Sequence, residues 1–76
     1  KPEEIMSADG MTIELSKAAG MISKGMITPY PPGIPAVCPG EIILQETIEY
    51  IYNILNAGGK VTGLHENTRV SVVKYG

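Results

Sequence analysis

Apolar residues recur at Leu44, Ile48, Ile51, Tyr52 and Leu55, a spacing that lays one stripe along a helix over residues 44–57. Gln45, Glu46, Glu49, Asn53 and Asn56 fall on the opposite, wet side, and the two acids sit early, where the helix dipole favours them. Gly58-Gly59 supplies the C-terminal stop. Upstream, Met11-Thr12-Ile13-Glu14-Leu15 alternates apolar with polar, the pattern of a half-buried strand, and Ser16 then offers an N-cap for a short helical turn stopped by Gly20. A single helix over residues 12–19 is the rival; the β-branched Thr12 and Ile13 favour the strand. Residues 21–27 present two apolar pairs, Met21-Ile22 and Met26-Ile27, around a bend expected at Gly25. Past the helix, residues 60–63 are a short strand candidate, 64–67 a turn, and 68–74 a β-rich run. Residues 1–10 mix charge with small side chains and close on Asp9-Gly10, which reads as a loose lead-in.

Between these elements lies a stretch of another kind. Residues 29–41 read Pro-Tyr-Pro-Pro-Gly-Ile-Pro-Ala-Val-Cys-Pro-Gly-Glu and hold five of the chain's six prolines. Proline fixes φ and removes a backbone donor, so the stretch cannot be a helix or a central strand, and ordering it loses little entropy. Residues 34–37 are the only part expected to pair as a strand, at an edge because of Pro35. Tyr30-Pro31 is the bond best placed to be cis, although trans is the default for any such bond. The expectation is an α/β (α+β) fold: one small domain over residues 1–76, short strands packed with one long helix (about 44–57) and a proline-rich loop (28–41).

A chain of 76 residues has room for one domain, and at this size only about 60% of the unfolded surface is buried on folding. Hydrophobic residues make up 43% with no Trp or Phe, so the core has to come from Ile, Leu, Val and Met. A net charge of −2 and a pI near 5.2 leave no basic footprint, which argues against nucleic acid or an anionic membrane as partner. Cys38 is the single cysteine, so no internal disulfide can form, and a cytoplasmic location is the default. No apolar run approaches the ~20 residues of a membrane-spanning helix. The chain opens on Lys1-Pro2-Glu3-Glu4 without a Met, as a piece of something longer would.

Glu41 is the candidate for chemistry. It is the only ionised side chain of residues 29–41, follows a Pro-Gly turn and precedes the apolar Ile42-Ile43-Leu44. One reading makes it an exposed acid near a helix N-terminus. The other makes it a carboxylate held for a substrate ammonium or guanidinium, since an acid among apolar groups is costly without a cationic partner. Tyr30 could stack on a ligand or anchor the loop to the core; anchoring is favoured, and as a substrate contact Tyr30 ranks behind Glu41. His65 beside Glu66 does not make a metal site and is expected in solvent. Cys38 has no adjacent base and reads as a small buried hydrophobe. Tyr50 and Tyr52 read as packing residues.

The run Thr28-Pro29-Tyr30-Pro31-Pro32-Gly33-Ile34-Pro35, followed by Pro39-Gly40-Glu41, closely resembles the signature of the carboxy-terminal domain of the bacterial ornithine/lysine/arginine decarboxylases. The likeness extends through Leu15-Ser16-Lys17-Ala18-Ala19-Gly20 and Ile22-Ser23 upstream and to Gly63 downstream. The resemblance implies a parent that uses pyridoxal phosphate to turn lysine, ornithine or arginine into the amine plus carbon dioxide, within polyamine metabolism and as a homo-oligomer. It also implies a large domain of the same chain as partner and a substrate contact for the Pro-Gly-Glu glutamate, here Glu41. In that family the cofactor sits on a lysine preceded by histidine, whereas His65 is followed by Glu66. The catalytic and cofactor-binding residues are therefore expected outside this chain, which alone should be inactive. Where relatives often cap the long helix with Ser or Thr, this chain has Leu44. A non-catalytic docking module that presents a stiff proline loop to another protein is the alternative. One carboxylate complements all three basic amino acids and so does not choose among them.

Overall fold

The structure, a computed structural model, describes residues 10–73. Strand β1, Gly10–Glu14, pairs antiparallel with β4, Arg69–Val73, and β2, Thr28–Tyr30, pairs antiparallel with β3, Lys60–Thr62. One helix, α1, Gln45–Asn56, completes an α+β domain. The expected lead-in lies outside the described residues except for Gly10, which opens β1 opposite Val73.

Strand β4 alternates as its sequence requires: Val70 and Val72 are buried, and Arg69, Ser71 and Val73 are half-buried. It is flanked on both sides. On the edge away from β1, Ser23 bridges to Val72, with Lys24 N–H donating to the Ser71 carbonyl at 2.9 Å and Val73 N–H to the Ile22 carbonyl at 2.8 Å. Residues 20–23 pair in turn with 40–43, so the β1–β4 sheet continues into the segment that carries Glu41.

After β1 the chain turns through a 3-10 turn, Leu15–Lys17. It begins one residue before the expected cap: Glu14 holds the N-cap position with no side-chain bond, and Ser16 lies inside the turn. The cause is Leu15, fully buried, whose N–H still donates to the Thr68 carbonyl at 2.8 Å; the backbone coils as soon as that last ladder bond is made.

The amphipathic helix forms where its periodicity places it, with Ile48 and Ile51 buried and Tyr52, Ile54 and Leu55 half-buried against the core. Leu44 belongs to the stripe by spacing but not in space. It is the N-cap residue, in extended conformation and without a side-chain cap, and it is 51% exposed. The helix closes as expected: Gly58, at φ +89, donates to the Leu55 carbonyl and Gly59 to the Ile54 carbonyl, the paired bonds of a Schellman cap.

The core is aliphatic: Leu15, Ile27, Val37, Ile43, Ile48, Ile51, Val61, Val70 and Val72, with Ala18. None of the described methionines enters it. Met11 and Met26 are exposed and Met21 is half-buried, because the β-branched residues already fill the space between sheet and helix. Tyr50 is exposed as well, on the wet side of α1, whereas Tyr52 packs as expected.

The proline loop departs from expectation at its first residue. Thr28–Tyr30, not residues 34–37, forms the strand; of the latter only Val37 pairs, with Ile27. Pro29 is tolerated in β2 because it faces Val61 at the sheet edge and its carbonyl accepts the Gly33 N–H at 2.7 Å, so its lack of a donor leaves no bond unmade. Tyr30-Pro31 is cis, and so is Pro31-Pro32.

Candidate functional site

Cys38-Pro39-Gly40-Glu41 is a β-turn whose residue types dictate its shape. Pro39 suits the first central position, and Gly40, at φ +88, takes the second, where a side chain would be strained. Glu41 N–H donates to the Cys38 carbonyl at 3.0 Å, and the Glu41 carboxylate folds back so that Oε1 accepts the Cys38 N–H at 2.8 Å. One residue thus holds both backbone groups of Cys38, and its own side chain is oriented in return.

The turn is fastened from outside by the segment before the loop. Gly40 N–H donates to the Ser23 carbonyl at 2.8 Å, Ser23 N–H to the Glu41 carbonyl at 2.9 Å, Ile43 N–H to the Met21 carbonyl at 2.8 Å, and Gly20 N–H to the Ile43 carbonyl at 2.8 Å. Because this segment is extended, its side chains alternate: Ile43 is fully buried while Ile42 and Leu44 are 58% and 51% exposed.

Those two exposed side chains help to wall an open cleft of about 440 Å³, together with Ala36, Val37 and Thr47, and Glu41 lies among them. Among the described residues, Glu41 is the only ionisable one of the lining, and no lysine, arginine or histidine contributes. Its carboxylate is exposed, so burial among apolar groups, the cost expected from the sequence, would arise only with the cleft covered. Among the described residues Oε2 has no hydrogen-bond partner.

Tyr30 is not part of this lining. Its ring, 46% exposed, lies against Gly33 of its own loop, and the residues that anchor the loop in the core are Thr28 and Pro29, both buried. Cys38 is half-buried rather than a core residue. His65 is exposed, with Nε2 2.8 Å from the Ser71 hydroxyl. Among the described residues there is no group of three or more His, Cys, Asp or Glu able to hold a metal ion, and no helix is long and apolar enough to cross a membrane. Sequence reasoning overlooked Ile42, Leu44 and Thr47 as cleft residues. The signal was available, since three aliphatic residues in a row before a helix cannot all face inward if extended.

The sequence model of one family, "Orn/Lys/Arg decarboxylase, C-terminal domain", matches residues 2–74. The chain is a member of that family. It is 42% identical over 67 residues to an arginine decarboxylase of Bacillus subtilis (strain 168), covering 88% of this chain and 14% of the relative. An inducible lysine decarboxylase of Escherichia coli (strain K12) is 41% identical over 59 residues, covering 71% of this chain and 8% of that protein. Among solved structures, the constitutive lysine decarboxylase of E. coli superposes with a TM-score of 0.75 at 28% identity, over 95% of this chain and 12% of the larger one. This Orn/Lys/Arg decarboxylase C-terminal domain therefore spans about one seventh or less of the length of the relatives it matches.

Proposed function

We propose that this domain forms one wall of the substrate cavity in a decarboxylase that converts lysine, ornithine or arginine into the amine and carbon dioxide, with Glu41 receiving the distal cation. The observation that carries this reading is the cleft itself: apolar walls from Ile42, Leu44 and Val37, and a single carboxylate whose orientation is set by the Cys38 N–H. An alkyl chain ending in an ammonium or guanidinium has the matching pattern, methylenes along the walls and the charge at Oε2. Tyr30, on the exposed loop and outside the lining, is at most a secondary contact.

The described residues of this chain do not fit pyridoxal phosphate. Among the described lysines, Lys17, Lys24 and Lys60 are exposed and none reaches the cleft, which also lacks any cation for a phosphate. We therefore assign the cofactor to a large domain elsewhere in the same chain, in keeping with the small share of the relatives' length that this domain spans. A reducing, cytoplasmic setting fits the single cysteine, and exposed Ile42 and Leu44 suit a domain covered by other parts of an oligomeric parent.

Ile34, 65% exposed on the proline loop, favours the alternative of a docking module. Glu41→Gln in the full-length chain separates the two. Gln keeps the shape and an acceptor for Cys38 but removes the charge, so kcat/KM on a basic amino acid should fall by roughly ten- to a hundredfold, the worth of a charge-assisted bond. Unchanged kinetics on lysine, ornithine and arginine would refute the substrate role and leave the docking reading.

A further inference from the structure

We propose that Ser23 is the positioning residue for the Glu41 carboxylate, an inference that rests on the substrate role proposed for Glu41. Ser23 has no solvent exposure, and Ser23 and Thr28 are the buried polar residues among those described. A hydroxyl in an aliphatic surrounding adds nothing to packing that Ala would not supply, and it costs free energy unless bonded. Here it donates to the Gly25 carbonyl at 2.7 Å, two residues along its own backbone.

That bond fixes the bend at Lys24-Gly25, and the bend decides where the Ser23 backbone points. On one side Ser23 lies opposite Val72 of β4, held by the flanking bonds from Lys24 N–H to Ser71 and from Val73 N–H to Ile22. On the other side its carbonyl receives Gly40 N–H and its N–H reaches the Glu41 carbonyl, at 2.8 and 2.9 Å. Ser23 is thus the residue through which the sheet grips the Pro-Gly-Glu turn. Gly25 has no side chain to limit its dihedrals, so the hydroxyl, beside the Lys24 backbone bond, is what holds the Gly25 end of the bend. Without it the Ser23 carbonyl is aimed less firmly by its remaining backbone bonds, the turn at residues 38–41 is held less tightly, and the carboxylate shifts relative to the cleft walls. Ser23 touches no substrate in this account; its effect passes through Glu41.

A double-mutant cycle in the full-length chain, with lysine, ornithine and arginine as substrates, tests this. Ser23→Ala should raise KM for the substrate used by about twofold to tenfold, the range of one net hydrogen bond, with kcat unchanged because binding alone is loosened. In the Glu41→Gln background the same substitution should leave KM where Glu41→Gln has already set it. A rise by the same factor in both backgrounds overturns the proposal, because Ser23 would then act on the domain at large. An unchanged KM in Ser23→Ala, beside a raised one in Glu41→Gln, overturns it while leaving the Glu41 role intact. An unchanged KM in Glu41→Gln itself refutes the Glu41 role and this inference with it.

Discussion

The carboxylate of Glu41 accepts the backbone N–H of Cys38, the residue that opens its own turn, at 2.8 Å. This bond gives Glu41 a structural task apart from any substrate, and the two tasks separate by substitution. Glu41→Ala removes the acceptor and should lower stability by about 0.5–1.5 kcal/mol. Glu41→Gln keeps an acceptor and should cost no more than a few tenths of a kcal/mol, about the size of a lost dipole contact. Thermal melts of the two variants check this; equal melting temperatures would mean that the turn does not depend on the side chain.

Gly63 should be intolerant of any side chain. It sits at φ +96, and a Cβ there would overlap the Met26 carbonyl oxygen and lie 3.1 Å from the Ile27 Cα, both backbone atoms that cannot swing away. Gly63→Ala is expected to destabilise the domain by about 3 kcal/mol or more. Gly20 is the control: it has a similar φ of +85 but open space where its Cβ would be, so Gly20→Ala should cost only about 1 kcal/mol of backbone strain. Chemical denaturation of both variants gives the difference. Equal losses would show that strain, and not the close approach, sets the cost at Gly63.

Ile51 and Leu44 share a hydrophobic stripe in sequence but differ in burial, fully buried against 51% exposed. Ile51→Ala should cost about 2–5 kcal/mol through a cavity between helix and sheet, and Leu44→Ala about 0.5 kcal/mol or less. Denaturant midpoints decide the matter. A loss at Leu44 comparable with that at Ile51 would place its side chain in the core after all.

Glu66 and Asn67 both have positive φ, +57 and +60, in the tight connection that returns the chain from His65 to Arg69. Asn tolerates this conformation because its short side chain bonds locally, whereas Glu does not. Glu66→Asn should therefore stabilise the domain by about 0.5–1 kcal/mol, which for a chain of this size raises Tm by roughly 2–8 °C. A lower Tm would mean that the Glu66 side chain makes a compensating interaction.

The sequence by itself determined the elements whose signals are local. The helix body followed from the spacing of Ile48, Ile51, Tyr52 and Leu55, and its end from Gly58-Gly59. Strands β1, β3 and β4 followed from alternation and from β-branched side chains. The Pro-Gly-Glu turn could be read because proline and glycine restrict or free their own φ, whatever surrounds them. Only tertiary structure decided what depends on residues far apart in the chain. Pro29 enters a strand because Val61 lies beside it and Gly33 takes its carbonyl's bond. Met11 and Met26 lose their places in the core to Ile and Val brought in from other segments. Leu44 leaves its stripe because its backbone is still extended at the helix start. The cleft around Glu41 exists because residues 20–23 fasten 40–43 in an extended register, turning Ile42 and Leu44 outward and Ile43 inward. Periodicity records which face of an element is apolar, but which elements meet, and with what register, is set by backbone bonds and packing among all of them at once.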